Sequence, residues 1–226
     1  MRIGRYLDHA VLKPEFTQEE AKAGIQMGID YHAKTVCVRP CDIELAKKMC
    51  EGTDTQVSCV LDFPHGAAGV EAKAALAELY AKTGVVEIDM VMNFGLAKSG
   101  EWGRVAEEIK AVTDCAHPYG VGVKVIFETS QLTQDEIRKA TEVCIECGAD
   151  FVKTSTGFLG GGATKESVKT MLETAAGRIK VKPSGGMSDY ETAKAFVDMG
   201  ADRLGVGVAF TPAICEGEKL ALGGED

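Results

Sequence analysis

Eight times along the chain a short run rich in β-branched residues gives way to a longer amphipathic run. No Ser/Pro-rich stretch or block of like charge interrupts the alternation. A strand that returns through a helix pairs in parallel, so the pattern specifies α/β architecture built from βα units. The strand-like runs lie near residues 6–12, 35–38, 56–63, 85–93, 121–129, 150–155, 179–182 and 203–208. Helical runs fall at 18–27, 42–50, 70–82, 103–117, 134–147, 165–174 and 189–199, with a short terminal one from Pro212. Thr17, Thr133 and Thr164 stand where helix N-caps belong, and Gly84, Gly148 and Gly200 follow final turns. Eight such units either close into a barrel or form an open doubly wound sheet. The open sheet's usual Gly-x-Gly-x-x-Gly after the first strand is absent, so the expected fold is a single (β/α)8 barrel of the TIM type over residues 1–226.

Composition narrows the partners. The net charge is −9, with Lys and Arg dispersed, which argues against a nucleic-acid or anionic-membrane surface. No apolar run approaches the ~18 residues of a membrane span, and Met1-Arg2-Ile3-Gly4-Arg5 does not read as a signal peptide, so a cytoplasmic protein is expected. In that compartment the eight cysteines are expected as reduced, mostly buried thiols. Cys144-x-x-Cys147 lies inside a helical run with no second ligand pair, and the four histidines are scattered, so neither a metal nor a cofactor is expected. The expected partners are a small molecule and further copies of the chain, as a homodimer or larger homo-oligomer.

Barrel sites form where strands end at their C-terminal edge, so polar residues there are read together. Strand one carries Asp8, strand two Cys37 and Arg39, strand three Asp62, strand four Asp89, strand five Lys124 and Glu128, strand six Lys153 and strand seven Lys182. Strand eight offers Gly205 and Gly207. The segments Phe151-Val152-Lys153-Thr154-Ser155-Thr156-Gly157 and Ile179-Lys180-Val181-Lys182-Pro183-Ser184-Gly185-Gly186 share one design: a lysine at a strand end, then small residues and glycine. Two amines thereby converge on one mouth.

Lysines and a carboxylate without a metal cluster point to Schiff-base chemistry. An ordinary lysine, with a pKa of about 10.4, is almost wholly charged at neutral pH, and attack on a carbonyl needs the free amine. Neighbouring strands are ~4.8 Å apart, so a second ammonium and partial burial can lower that pKa. Asp89, in Glu87-Ile88-Asp89-Met90-Val91, either moves protons for such a reaction or is an ion pair that orients the lysines.

These residues carry a resemblance to the deoxyribose-phosphate aldolase family, class I aldolases that work through a lysine Schiff base. The matching segments are Tyr6-Leu7-Asp8-His9 with Leu12-Lys13-Pro14, Val36-Cys37-Val38-Arg39-Pro40, Phe63-Pro64-His65-Gly66, Glu87 to Asn93, Val123-Lys124-Val125-Ile126 with Glu128-Thr129, Gly148 to Phe158, and Val181 to Gly186. The resemblance implies reversible cleavage of 2-deoxyribose 5-phosphate to acetaldehyde and glyceraldehyde 3-phosphate. It makes Lys153 the Schiff-base lysine, Lys182 the neighbour that tunes it and Asp89 the acid/base working through a water. It places Asp8, Cys37, Lys124 and Thr154 in the pocket lining, and Gly157, Gly185, Gly186, Gly205 and Gly207 around the substrate, where bare N–H groups approach the phosphate.

Three departures stand out. Family members present serines after strand eight, whereas this chain reads Leu204-Gly205-Val206-Gly207-Val208-Ala209-Phe210, without a hydroxyl. Phe158 follows Gly157 where some members place a lysine. An unphosphorylated or different acceptor aldehyde therefore stands as an alternative, as do a sugar-phosphate isomerase or a ligand-binding barrel without imine chemistry. Lys180 falls by alternation on the same face as Lys182, deeper in the barrel, either as a partner for Glu87 or Asp150 or as the sign of a locally irregular strand. The acidic tail, residues 221–226, is expected to be disordered.

Overall fold

A computed structural model describes residues 2–223. Its eight strands are β1 (Leu7–Val11), β2 (Thr35–Val38), β3 (Gln56–Leu61), β4 (Glu87–Val91), β5 (Gly122–Ile126), β6 (Phe151–Lys153), β7 (Lys180–Lys182) and β8 (Leu204–Gly207). All pair in parallel, in the order β7-β6-β5-β4-β3-β2-β1-β8. No ladder joins β7 to β8. Beyond the end of β7, the Gly205 N–H donates to Pro183 O at 2.8 Å and the Gly185 N–H donates to Gly205 O at 3.1 Å. Together with the Asp202 N–H, which donates to Val181 O at 3.0 Å, these bonds close the ring, and the fold is the expected (β/α)8 barrel.

Around it stand α1 (Gln18–Asp30), α2 (Ile43–Cys50), α3 (Val70–Ala81), α4 (Phe94–Lys98), α5 (Trp102–Ala116), α6 (Gln134–Glu146), α7 (Lys165–Ala175), α8 (Tyr190–Asp198) and α9 (Thr211–Ala221). The threonine caps are formed as expected. Thr17 and Glu20 satisfy each other's backbone N–H groups ahead of α1, and Thr133 with Glu136 does the same for α6. One helix is additional: α4, a single short turn of chain whose Leu96 N–H is capped by Asn93 Oδ1 at 3.0 Å.

Several strands are shorter than their apolar runs. β3 stops at Leu61 because Asp62 turns to φ 50°, and β5 stops before Glu128, at φ 55°. Of the tail, Ala221 ends α9 and Leu222 and Gly223 form a turn, while the expectation for residues 224–226 lies outside the described residues.

The largest apolar cluster fills the space between strands and helices, with Ile88, Met90, Val123, Val125 and Val152 facing Ile109, Ile137 and Met171. His9 belongs to this outer layer. Its Nε2 lies 2.9 Å from the Gly24 carbonyl, which can only accept, so Nε2 carries the proton and Nδ1 accepts from the Thr211 hydroxyl at 2.8 Å. Burial lowers the His9 pKa to about 4, against a smaller upward pull from the Gly24 bond. Unfolded chain takes up this proton below its ordinary pKa while the folded chain does not. Stability is therefore expected to fall by about 3 kcal/mol as pH drops from about 6.5 to about 4, then to level off for this group. Urea denaturation across that range should show a flatter dependence in His9→Asn.

Candidate active site

Seven ionisable side chains meet inside the barrel, one or two from each of six strands or strand ends. Register sets Asp89 beside Lys124 and Lys153 beside Lys182. Lys153 Nζ and Lys182 Nζ both donate to Asp89 Oδ2, at 2.7 Å each, and Lys124 Nζ donates to Oδ1 at 2.9 Å. Lys182 Nζ also lies 2.5 Å from Asp8 Oδ2, an ion pair without hydrogen-bond alignment. Asp8 Oδ1 accepts from Thr35 Oγ1 at 2.8 Å and from Arg203 Nη1 at 2.7 Å. Below them Glu87 is clamped by Arg203 at 3.0 and 3.1 Å and accepts from Lys124 at 2.5 Å.

Burial and charge act against each other throughout this cluster. Burial alone would raise the carboxylates, yet the surrounding cations hold Asp89 well below its ordinary pKa and hold Asp8 below it too. Burial alone would lower the lysines, yet Asp8 and Asp89 outweigh it and raise Lys124 and Lys182. Lys153 goes the other way. Its burial, aided by the Lys182 ammonium, outweighs the pull of Asp89, and its pKa is lowered. Of the three barrel lysines it is the one pushed toward the free amine.

Above the cluster opens a cavity of about 420 Å³. Lys153 and Lys182 stand in its floor, with Asp8 and Cys37 on one side. Gly157, Gly185, Gly186, Gly205 and Gly207 form its rim, as the sequence arranged them. Gly205 has a strict reason to be glycine, since a β-carbon there would collide with the Ser184 side chain. Cys37 is buried and its thiol is pushed up, first by burial and then by Asp89, so it is a neutral wall.

Two residues expected in the lining lie behind it. Lys124 is fully buried beneath the floor, and Thr154 is buried with its hydroxyl against the Ser184 backbone. Lys180 departs further from expectation. It is exposed at the first position of β7, and its ammonium sits 5.0 Å from the centre of the Phe151 ring rather than on Glu87 or Asp150. Being the outermost residue of a three-residue strand, it emerges at the rim opposite the cavity, where water solvates it.

Other residues, outside the expected site set, also border the cavity. Ser184 brings a hydroxyl from the β7 side, while Phe158 and Phe210, both substantially exposed, border the mouth. Phe158 packs edge-on against Phe63 with centroids 5.1 Å apart. Glu128, buried behind the β6 loop, accepts from the Thr156 N–H at 3.2 Å and from its hydroxyl, which fixes the loop that carries Gly157. Among the described residues no group of three His, Cys, Asp or Glu side chains is arranged to hold a metal, and no helix is long and apolar enough to cross a membrane.

The profile of the DeoC/LacD family aldolases matches residues 4–217. Over 224 residues the chain is 43% identical to a deoxyribose-phosphate aldolase of Caldanaerobacter subterraneus subsp. tengcongensis, covering 99% of this chain and 96% of that protein. It is 44% identical over 205 residues to one of Clostridium tetani, covering 91% and 94% of the two chains. The crystal structure of a putative deoxyribose-phosphate aldolase from Coccidioides immitis superposes with a TM-score of 0.90 at 35% identity, over 95% of this chain and 85% of that one.

Proposed function

The chain belongs to the DeoC/LacD family of aldolases, and on that footing we propose that it cleaves 2-deoxyribose 5-phosphate reversibly to acetaldehyde and glyceraldehyde 3-phosphate, with Lys153 as the Schiff-base nucleophile. The observation that carries the assignment is the position of Lys153 Nζ: it stands in the cavity floor, 2.7 Å from Asp89 Oδ2, with its pKa lowered by burial and by Lys182.

The free amine attacks the aldehyde carbon of the open-chain sugar, and loss of water leaves an iminium on Nζ. The iminium draws electrons from the bond between the second and third sugar carbons as the third-carbon hydroxyl gives up its proton. Glyceraldehyde 3-phosphate departs and leaves an enamine. Protonation of the enamine and hydrolysis then release acetaldehyde. Asp89, kept ionised by three lysines, stabilises the cationic stage and passes protons through water in the cavity, while Lys182 keeps Asp89 occupied after Lys153 has reacted. The acceptor's phosphate is assigned to the glycine rim, Ser184 and Lys13, all on the cavity wall. The Val208-Ala209-Phe210 segment contributes no hydroxyl there.

Borohydride reduction in the presence of acetaldehyde, followed by peptide mass analysis, tests the assignment. An ethyl group is expected on the peptide containing Lys153. A folded protein that takes up none would overturn it. Comparing cleavage of deoxyribose 5-phosphate with that of deoxyribose then tests the phosphate site, and equal kcat/KM for the two would remove it.

A further inference from the structure

The interior cluster holds four cationic side chains, Lys124, Lys153, Lys182 and Arg203, and three carboxylates, Asp8, Glu87 and Asp89. With every group ionised it carries one surplus positive charge, and with Lys153 neutral it is balanced. An unbalanced buried charge is costly, so the cluster favours the loss of one proton, and the contacts of each lysine decide which one gives it up. Lys153 and Lys182 both open on the cavity, but Lys182 is held by Asp8 and Asp89 together whereas Lys153 meets Asp89 alone, and Lys124 is sealed between Asp8, Glu87 and Asp89.

Four members of this set, Glu87, Asp89, Lys124 and Arg203, do not line the cavity. Glu87 and Arg203 form a two-pronged pair under the floor, and neither lines the pocket. Arg203 sits 5.3 Å from the centre of the Phe151 ring, which also lies under Lys124 at 5.4 Å, so the aromatic side chain packs the base of the cluster. We propose that Glu87 and Arg203 are positioning residues that fix the proton count of the cluster, so that the single proton released before attack is that of Lys153. This rests on the assignment of Lys153 as nucleophile.

The couplings run through named contacts. Arg203 neutralises one oxygen of Asp8, which limits the charge Asp8 presents to Lys182 through the other. Glu87 holds Lys124 in place, and Lys124 in turn occupies the Asp89 oxygen that Lys153 and Lys182 do not use. The ionisable groups of the cluster around Lys153 are thus Asp8 from β1, Cys37 from β2, Cys59 from β3, Glu87 and Asp89 from β4, Lys124 from β5, Lys182 from β7 and Arg203 just before β8. Cys37 and Cys59, both pushed up by burial, stay neutral and do not enter the balance.

Removing the guanidinium leaves one negative charge more, which retains the proton on Lys153. Removing the Glu87 carboxylate leaves one positive charge more, which expels it. The rate of acetaldehyde adduct formation on Lys153, trapped with borohydride over a pH series, reads this directly. Arg203→Gln is expected to move the profile to higher pH, with roughly tenfold slower trapping near neutral pH that recovers in base. Glu87→Gln is expected to move it to lower pH. The double variant, with the original balance, is expected to return toward the parent midpoint.

Shifts in the same direction, or lower rates at an unchanged midpoint, would overturn the proposal and leave the pair a purely structural clamp. Should Arg203→Gln not fold, Glu87→Gln set against Glu87→Asp decides the matter, because only the first changes charge; equal midpoints would overturn it. A parent protein that forms no adduct at all fails at the earlier step, the assignment of Lys153, and is distinguished in this way.

Discussion

Lys153→Ala is expected to lower cleavage of deoxyribose 5-phosphate by roughly 10⁴-fold or more, because the variant has no amine to form the iminium on which every later step depends. The same change should leave the barrel folded. Asp89 keeps Lys124 at 2.9 Å and Lys182 at 2.7 Å, and the remaining charges are balanced. Removing a buried ammonium that the cavity already touches leaves space that water can fill, so thermal stability should hold or rise. Retro-aldol rates measured beside melting curves check both halves. A variant that loses activity only by unfolding would refute the charge arrangement described for the floor.

The largest effect on stability is expected outside the active site, at Lys73. This lysine is fully buried at the start of α3, where its ammonium donates to Glu108 at 2.6 Å, to the Val91 carbonyl at 2.9 Å and to the Gly66 carbonyl at 3.1 Å, with Asp62 3.5 Å away. Glu108 in turn accepts from the Asn93 N–H at 2.6 Å. One ammonium therefore ties the β3 loop, the end of β4 and α5 together. Gly66 belongs to the same knot: at φ 66° it lies against the Met92 carbonyl, where a β-carbon would collide. Lys73→Ala strands two carboxylates and two carbonyls, and a loss of about 3–5 kcal/mol is expected. In a barrel of this size that corresponds to a melting temperature lower by roughly 10 °C. Lys73→Met combined with Glu108→Gln, which removes both charges, should recover much of the loss.

These two lysines differ in how plainly the sequence announces them. Lys153 was visible because it ends a strand and meets glycine, and because Lys182 repeats the arrangement one strand later. Lys73 reads as an ordinary helical lysine. Its signal is its alignment with Ala77 and Ala81, four and eight positions on, along the one stripe of α3 that is buried. A lysine in register with such a stripe needs a buried partner, and Glu108 lies too far along the chain for local pattern to supply it.

The barrel itself was legible because eight βα repeats with capped helices leave few alternatives. Where strands end was less so, since Asp62 and Glu128 leave extended geometry after apolar runs that continue past them. Lys180 shows the complementary error. Alternation gave its face correctly enough to bring it over Phe151, yet alternation does not say how deep a position lies, and in a strand of three residues the first is already at the rim. The Glu87–Arg203 pair was hidden for another reason: it joins residues 116 positions apart, and only closure of the ring brings them face to face.

That closure also dictates the order in which competence can arise. The first strand takes its second neighbour from the last, Leu7 beside Leu204 and Asp8 beside Gly205, so part of the cavity wall is a contact between the two ends of the molecule. During synthesis, β1 through β7 can lie side by side while Asp8 still lacks its guanidinium and the glycine rim is half missing. Contacts so distant in sequence are slow to form because the intervening chain must be ordered before they are rewarded. An incomplete chain thus presents lysines without the geometry that makes one of them reactive, and chemistry becomes available only when the last strand has been delivered.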